Sequence, residues 1–257
     1  MLKLLKKTFR KSNASIAISI VYLAFCFGSA IYFGAIGRFP QMKNALVAGI
    51  FALPMIYVFE RLLRFDMKWL LTTFVLFLIA GGFITGPSYN FYMKIPFFDD
   101  VLHCLSGFIF AVIGFTLSNR LLAGKAEDPF WYNLVFGFFF SLAVAVLWEM
   151  IEYAGTLYFG LDMQEDQIVT SFRSYLLSGT HVEVVNIDNI VKTVIYYGDN
   201  QTLEINGYLD IGLLDTLDDM LCCIIGSAVL FASFAINKAA KGSFDRAFVS
   251  TDYEQIA

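Results

Sequence analysis

Long apolar runs separated by short polar stretches dominate the hydropathy pattern of this chain. Six runs approach the roughly 20 mostly apolar residues that a helix needs to cross a membrane. They cover residues 14–36, 45–63, 68–86, 98–119, 130–155 and 215–237. The pattern predicts an all-α membrane protein, in which residues 1–257 form a single domain built as a bundle of about six transmembrane helices.

The stretch between the fifth and sixth predicted spans, residues 157–214, is polar and has no long apolar run. Within it, VKTVIYY (191–197) and TLEING (202–207) flank Gly198, Asp199 and Asn200. Two β-rich runs around such a turn are typical of a β-hairpin. The sequence therefore predicts one extramembrane insertion with a short hairpin.

Composition supports a membrane protein. Hydrophobic residues make up 58% of the chain and charged residues only 16%, whereas about one quarter of a typical soluble domain is charged. The apolar composition predicts membrane lipids as partners, and the mild net charge of −4 predicts no nucleic-acid partner. The four cysteines lie in apolar runs without a CxxC pair, and we interpret them as small buried hydrophobic residues. They are Cys26, Cys104, Cys222 and Cys223.

The distribution of lysine and arginine predicts the orientation. With a cytoplasmic N-terminus and six spans, 13 of these residues fall in inner segments and 5 in outer segments. Basic residues are enriched in cytoplasmic loops. We therefore expect both termini in the cytoplasm, and the 157–214 insertion and the 87–97 loop outside. The first apolar run exceeds a usual signal segment, so we expect it to remain as the first helix.

Several ionisable residues lie inside the last three predicted spans, where each costs about 2.5–3.5 kcal/mol at the membrane centre. They are Asp99, Asp100 and His103 in the fourth span, Glu149 and Glu152 in the fifth, and Asp215, Asp218 and Asp219 in the sixth. Spacings of three or four residues place partners on one face of each helix.

The three groups also share a predicted depth. At 1.5 Å per residue, His103 lies roughly 7 Å and Asp219 about 6 Å inside their helices, and Glu149 roughly 9 Å from the outer end of its helix. The orientation was derived from lysine and arginine alone, and it brings all three groups to one level near the outer face. This agreement favours a common site.

The acids also have interpretations that need no common ligand site. Acids at helix N-termini complement the helix dipole, which accounts for Asp99, Asp100 and Asp215. It does not account for Glu149 and Glu152, predicted near a helix C-terminus. Seven carboxylates cannot all be ionised in a low-dielectric pocket without a countercharge. A bound cation, a proton- or ion-conducting acid cluster and structural hydrogen bonding all remain open.

A metal site is the first of these hypotheses. Carboxylates with one imidazole suit Mg²⁺, Mn²⁺, Ca²⁺ or iron, and zinc is also compatible. The predicted ligands are Asp99, Asp100, His103, Glu149, Glu152, Asp215 and Asp219. Glu149 and Glu152 are also the predicted catalytic residues, with one of them serving as general base.

Three motifs of the chain resemble a known family. FFDDVLHCLSGF, LWEMIEY and GYLDIGLLDTLDDMLCCIIGS are similar in order and spacing to the YjdF-like family of bacterial inner-membrane proteins, over roughly residues 65–237. The resemblance implies the bacterial cytoplasmic membrane and the same seven site residues. It implies no particular reaction.

The first functional hypothesis is a metal-dependent enzyme acting on a lipid or lipid-linked substrate at the outer leaflet. The second is a cation or proton transporter or channel that uses the same acids, and the third is a non-catalytic membrane partner protein. The inner halves of the last three spans carry no acid or base, for example residues 108–115 and 134–145. This argues against a continuous ion path.

Overall fold

The structure is a computed structural model, and it describes residues 12–63, 65–122, 128–180, 182–242 and 244–250. Its main helices are α1 (Asn13–Ala35), α2 (Phe39–Leu63), α3 (Trp69–Ala80), α4 (Phe98–Leu121), α5 (Phe130–Phe159) and α6 (Leu213–Ala239). Some basic residues used for the predicted orientation lie outside the described residues; they are Lys3, Lys6, Lys7, Arg10, Lys11, Arg64 and Lys125.

Five helices, α1, α2, α4, α5 and α6, are long and apolar enough to cross a membrane. They confirm the predicted helices at these positions within a few residues at most ends. The largest shift is at α2, which begins at Phe39 instead of residue 45. Pro40 does not prevent this early start, because proline is tolerated in the first turn of a helix.

The third predicted span is not confirmed as a span. Helix α3 continues as a π-helix, Gly81–Thr85, so the apolar helix covers Trp69–Thr85. Its roughly 25 Å length is below the ~30 Å of a hydrocarbon core. Gly81 and Gly82 weaken α-helical geometry at this point, and Pro87 follows. The described residues therefore provide five candidate spans, not six.

The chain divides into two compact units, and the first comprises Met1–Val146 and Asp219–Ala257. Helix α4 is the central element of this unit. In its most apolar 18-residue stretch, 61% of the residues are buried, against 28–33% in the other four candidate spans. Helices α1 and α2 pack together, and the hydroxyl of Tyr22 donates to the carbonyl of Ala48 at 3.0 Å.

The crossing of α4 and α6 is close enough to exclude a methyl group. A Cβ added to Gly107 would lie 2.2 Å from the carbonyl oxygen of Cys223, and one added to Gly226 would lie 1.8 Å from that of Cys104. Glycines allow such close approach of helix backbones in membranes. The hydroxyl of Ser227 adds hydrogen bonds to the carbonyls of Cys223 at 2.8 Å and Gly107 at 3.2 Å.

The segment after α6 folds back onto the first unit. Strand β8 (Val249–Ser250) pairs antiparallel with β1 (Asp66–Met67), and the amide of Lys68 donates to the carbonyl of Phe248 at 2.8 Å. The Phe248 side chain is only 1% exposed. Its ring centroid lies 5.4 Å from that of Phe108 in α4, so this segment completes the aromatic core around α4.

The second unit comprises Leu147–Asp218 and contains three antiparallel strand pairs. They are β2 (Gln167–Val169) with β7 (Tyr208–Asp210), β3 (Phe172–Ser174) with β4 (Val185–Ile187), and β5 (Thr193–Tyr197) with β6 (Gln201–Ile205). The last pair confirms the predicted hairpin. Positive φ angles at Gly198 and Asn200 form its turn.

The α4–α6 crossing predicts a difference between two glycine-to-alanine substitutions. Gly107→Ala would force a methyl against the α6 backbone, and overpacking of this kind costs roughly 1–3 kcal/mol. We expect a melting temperature several degrees lower in detergent. Gly28→Ala is the control, because a Cβ at Gly28 meets nothing within 4 Å and alanine favours helix. Equal melting temperatures for the two variants would contradict the importance of this crossing.

Candidate functional site

His103 lies one turn inside α4, and its ring faces an acid at the start of that helix. Asp99 and Asp100 are both in the first turn of α4. Nε2 of His103 is 3.6 Å from Oδ2 of Asp99. This distance confirms the predicted common face of Asp99 and His103.

Helix α6 adds a second carboxylate to the same ring nitrogen. Oδ2 of Asp219 lies 3.6 Å from Nε2 of His103. One ligand atom from each of Asp99, His103 and Asp219 lies within 4.8 Å of the other two. We call these three residues the Asp-His-Asp group. The side chains of His103 and Asp219 are 8% and 2% exposed and that of Asp99 25%, so the group is most open on the Asp99 side.

The spacing within the Asp-His-Asp group suits a small cation. The two 3.6 Å separations exceed the 2.7–3.2 Å typical of an N–H···O hydrogen bond. Two ligands ~2.1 Å from a tetrahedral metal ion stand roughly 3.4 Å apart. A protonated His103 attracted by two carboxylates is the alternative arrangement that these distances allow.

Two cysteines of α6 touch the polar residues of α4. Sγ of Cys222 donates to Oδ1 of Asp100 at 3.5 Å, and Asp100 is not part of the Asp-His-Asp group. Sγ of Cys223 donates to the carbonyl of His103 at 3.3 Å. Both cysteines are free, as interpreted from the sequence, and their thiols have these polar contacts in addition. Their positions three and four residues after Asp219 were the available signal, since such spacing shares a helix face.

The second unit has its own buried acids. Glu149, Glu152 and Asp215 are all buried, and one carboxylate oxygen of Glu149 lies within 4.8 Å of one of Glu152. Glu149 is also next to Asp215 and Thr216. That these three acids are metal ligands, and that Glu149 or Glu152 is catalytic, stays a prediction.

Glu149 is further from the end of its helix than the sequence suggested. Helix α5 continues to Phe159 instead of ending near residue 155, because Leu157, Tyr158 and Phe159 extend the apolar run. Glu149 is therefore roughly 15 Å from the C-terminus of α5. The dipole effect fades beyond the last turn, so it says little about Glu149.

Asp215 ties the start of α6 to the segment before β2. Its Oδ2 accepts a hydrogen bond from the amide of Glu165 at 2.9 Å. In the neighbouring pair, Nε2 of Gln164 donates to Oγ1 of Thr216 at 2.6 Å. Asp215 thus has a structural partner beyond the favourable charge that it brings to the first turn of α6.

Comparison with known proteins gives one family match. The model of the family described as "Predicted membrane protein (DUF2238)" matches residues 14–240. Neither a curated protein nor a solved structure matches the chain. The matched range covers the second unit, most of the first unit and every predicted site residue.

The contacts of Asp215 predict a local effect of its removal. Asp215→Ala takes away the acceptor of the Glu165 amide, at a cost of roughly 1 kcal/mol, and we expect faster hydrogen exchange in residues 163–167 by mass spectrometry. Asp215→Asn keeps an acceptor oxygen and should stay close to wild type. Asp218→Ala, at an exposed position of the same helix, is the control. Unchanged exchange in Asp215→Ala would contradict the anchoring role.

Proposed function

The chain belongs to the DUF2238 family of predicted membrane proteins, and we propose that it is a metal-dependent enzyme of the bacterial cytoplasmic membrane. Its substrate would be a lipid or a lipid-linked molecule at the outer leaflet. We also propose that it falls within the YjdF-like group that its motifs resemble.

One observation carries the proposal: three ligand-type atoms of Asp99, His103 and Asp219 lie within 4.8 Å of one another. Two of these side chains are almost fully buried. Buried carboxylates need a countercharge, and α4 has no Lys or Arg before Arg120. A divalent cation bound by this group would supply positive charge and leave coordination positions for water or substrate.

The chemistry follows from those open positions. Asp99, His103 and Asp219 would hold the divalent ion, and its charge would polarise a phosphoryl or carbonyl oxygen and make a bound water more acidic. The 25% exposure of the Asp99 side chain gives the side from which a substrate oxygen would approach. In this proposal, Glu149 or Glu152 acts as the general base that accepts a proton from the attacking water.

The transporter hypothesis requires a polar path beyond the Asp-His-Asp group. In α4, every side chain from Ile109 to Phe115 is apolar, Gly114 has none, and most of these residues are buried. Neither Asp, Glu, Lys, Arg nor His occurs in α5 before Glu149 or in α6 between Asp219 and Lys238. A layer without ionisable side chains opposes ion movement, which favours the enzyme.

Metal binding is tested most sharply with two neighbouring aspartates of α6. Asp219 is buried in the Asp-His-Asp group, whereas Asp218 is exposed, and each Asp→Asn change removes one charge. A ligand at about 100 times its dissociation constant stabilises the folded state by about 2.7 kcal/mol, or roughly 5–10 °C here. We expect chelator-treated wild type and Asp218→Asn to gain such stability with Mg²⁺, Mn²⁺, Ca²⁺, Fe²⁺ or Zn²⁺, and Asp219→Asn to gain much less.

Identical thermal-shift curves for wild type, Asp219→Asn and Asp218→Asn with every ion would refute the metal centre. Elemental analysis of the purified protein, before and after chelator treatment, identifies the ion. Loss of the thermal shift in both variants would indicate a general charge effect and would also count against a specific site.

The orientation depends on whether the short helix Trp69–Thr85 crosses the membrane. We propose that it does, because six crossings place both termini in the cytoplasm and follow the lysine and arginine bias. Asn200 would then face outward and Lys241 inward. With five crossings and the same N-terminal side, these two residues exchange sides.

Cysteine labelling distinguishes the two topologies. In intact cells we expect an impermeant maleimide to label Asn200→Cys at once and Lys241→Cys only after permeabilisation. Both positions are exposed, and the unsubstituted protein reports the background from the native cysteines. Protection of Asn200→Cys with labelling of Lys241→Cys would show that Trp69–Thr85 does not cross.

A further inference from the structure

Cys223 contacts His103 at two points, the backbone and the ring. Its Sγ donates to the carbonyl oxygen of His103 at 3.3 Å and lies 4.0 Å from Nδ1 of the ring. Cys223 is 2% exposed, so water does not compete for the thiol. The opposite ring nitrogen, Nε2, faces Asp99 and Asp219.

These contacts fit the following arrangement of protons around the ring. The thiol has one proton and donates it in a hydrogen bond to an oxygen, either the carbonyl of His103 or Oγ of Ser106 at 3.4 Å. The sulfur lone pairs then face Nδ1 and can accept its N–H as a weak hydrogen bond. A neutral imidazole with its proton on Nδ1 has a free lone pair on Nε2, the nitrogen between the two carboxylates.

We propose that Cys223 is a positioning residue that fixes His103 in the Nδ1–H tautomer with Nε2 ready to bind metal. This inference rests on the proposed metal centre for its functional meaning. Metal-binding histidines usually donate their other ring N–H to an outer partner, and loss of that partner typically weakens metal binding 10–100-fold. Here the partner is a thiol on the neighbouring helix instead of a carboxylate or carbonyl.

The chain offers a simple spectroscopic test because it has only two histidines. In a His181→Gln background, the ring nitrogens of ¹⁵N-labelled histidine report on His103 alone. We expect the metal-free protein to show the Nδ1–H tautomer, and Cys223→Ala to show a mixture of both tautomers. Cys222→Ala is the matched control, because its thiol bonds Asp100 and not the ring.

Zn²⁺ affinity measured by calorimetry on the same variants gives the second readout. We expect Cys223→Ala to bind Zn²⁺ 10–100-fold more weakly than the background protein, and Cys222→Ala to stay within about threefold of it. A Cys223→Ala protein with an unchanged ring spectrum and unchanged affinity would overturn the proposal. Equal losses in both cysteine variants would overturn it as well, since they would indicate general damage to the helix contact.

Failure of the metal centre gives a different result from failure of this inference. If the background protein binds no Zn²⁺ and no other divalent ion, the proposed function falls, while the tautomer spectra still decide whether Cys223 orients His103. If the background protein binds metal and Cys223→Ala behaves like it in both readouts, only the positioning role falls.

Discussion

The close crossing of α4 and α6 is the contact on which the Asp-His-Asp group depends. Helices in a membrane gain little from the hydrophobic effect against each other, so backbone packing and hydrogen bonds decide where they meet. Gly107 and Gly226 leave no room for a Cβ at this crossing. About one turn from Gly107 along α4, His103 meets Asp219. A wider crossing would separate the two ligand-type atoms of neighbouring helices.

The α4–α6 crossing buries the carboxylate of Asp219, and a buried charge is costly unless an opposite charge pairs with it. Asp219 is 2% exposed and cannot recruit water freely, while His103 beside it supplies positive charge only when protonated. Either the imidazole carries a proton and pairs with the carboxylates, or it stays neutral and an external cation provides the charge. The contact of Cys223 with Nδ1 fits both states, because the neutral Nδ1–H tautomer and the imidazolium each have an N–H at that nitrogen.

Hydropathy predicted most of the helices because about 20 apolar residues in a row leave few alternatives. At α3 the apolar run is a helix, but it is too short to be confirmed as a span, and Gly81 and Gly82 change its geometry to a π-helix. Local spacing predicted that His103 and Asp99 share a face, but it could not choose between Asp99 and Asp100, which lie four and three residues before His103. The choice depends on the rotation of α4 against α6, a property of packing and not of local sequence.

Contacts between distant parts of the chain were beyond sequence reasoning for the same reason. The β1–β8 pair joins residues 66–67 to residues 249–250, and two-residue strands give no periodicity to detect. The contact of Cys223 with His103 spans 120 positions. The hairpin of β5 and β6 was predictable because its turn and both strands lie within 13 residues. Contacts between residues close in sequence could be predicted, and contacts between distant residues could not, whatever the residue types.

Aromatic residues pack around α4 on the side of His103 that is away from Asp99. Phe248 is brought to α4 by the β1–β8 ladder, and its ring lies 5.4 Å from Phe108, 6.3 Å from Phe74 and 6.0 Å from Phe234. Phe108 follows Gly107, so these rings begin about one turn from His103 on the side away from Asp99. The group therefore has aromatic side chains packed to one side of it and is most open at Asp99.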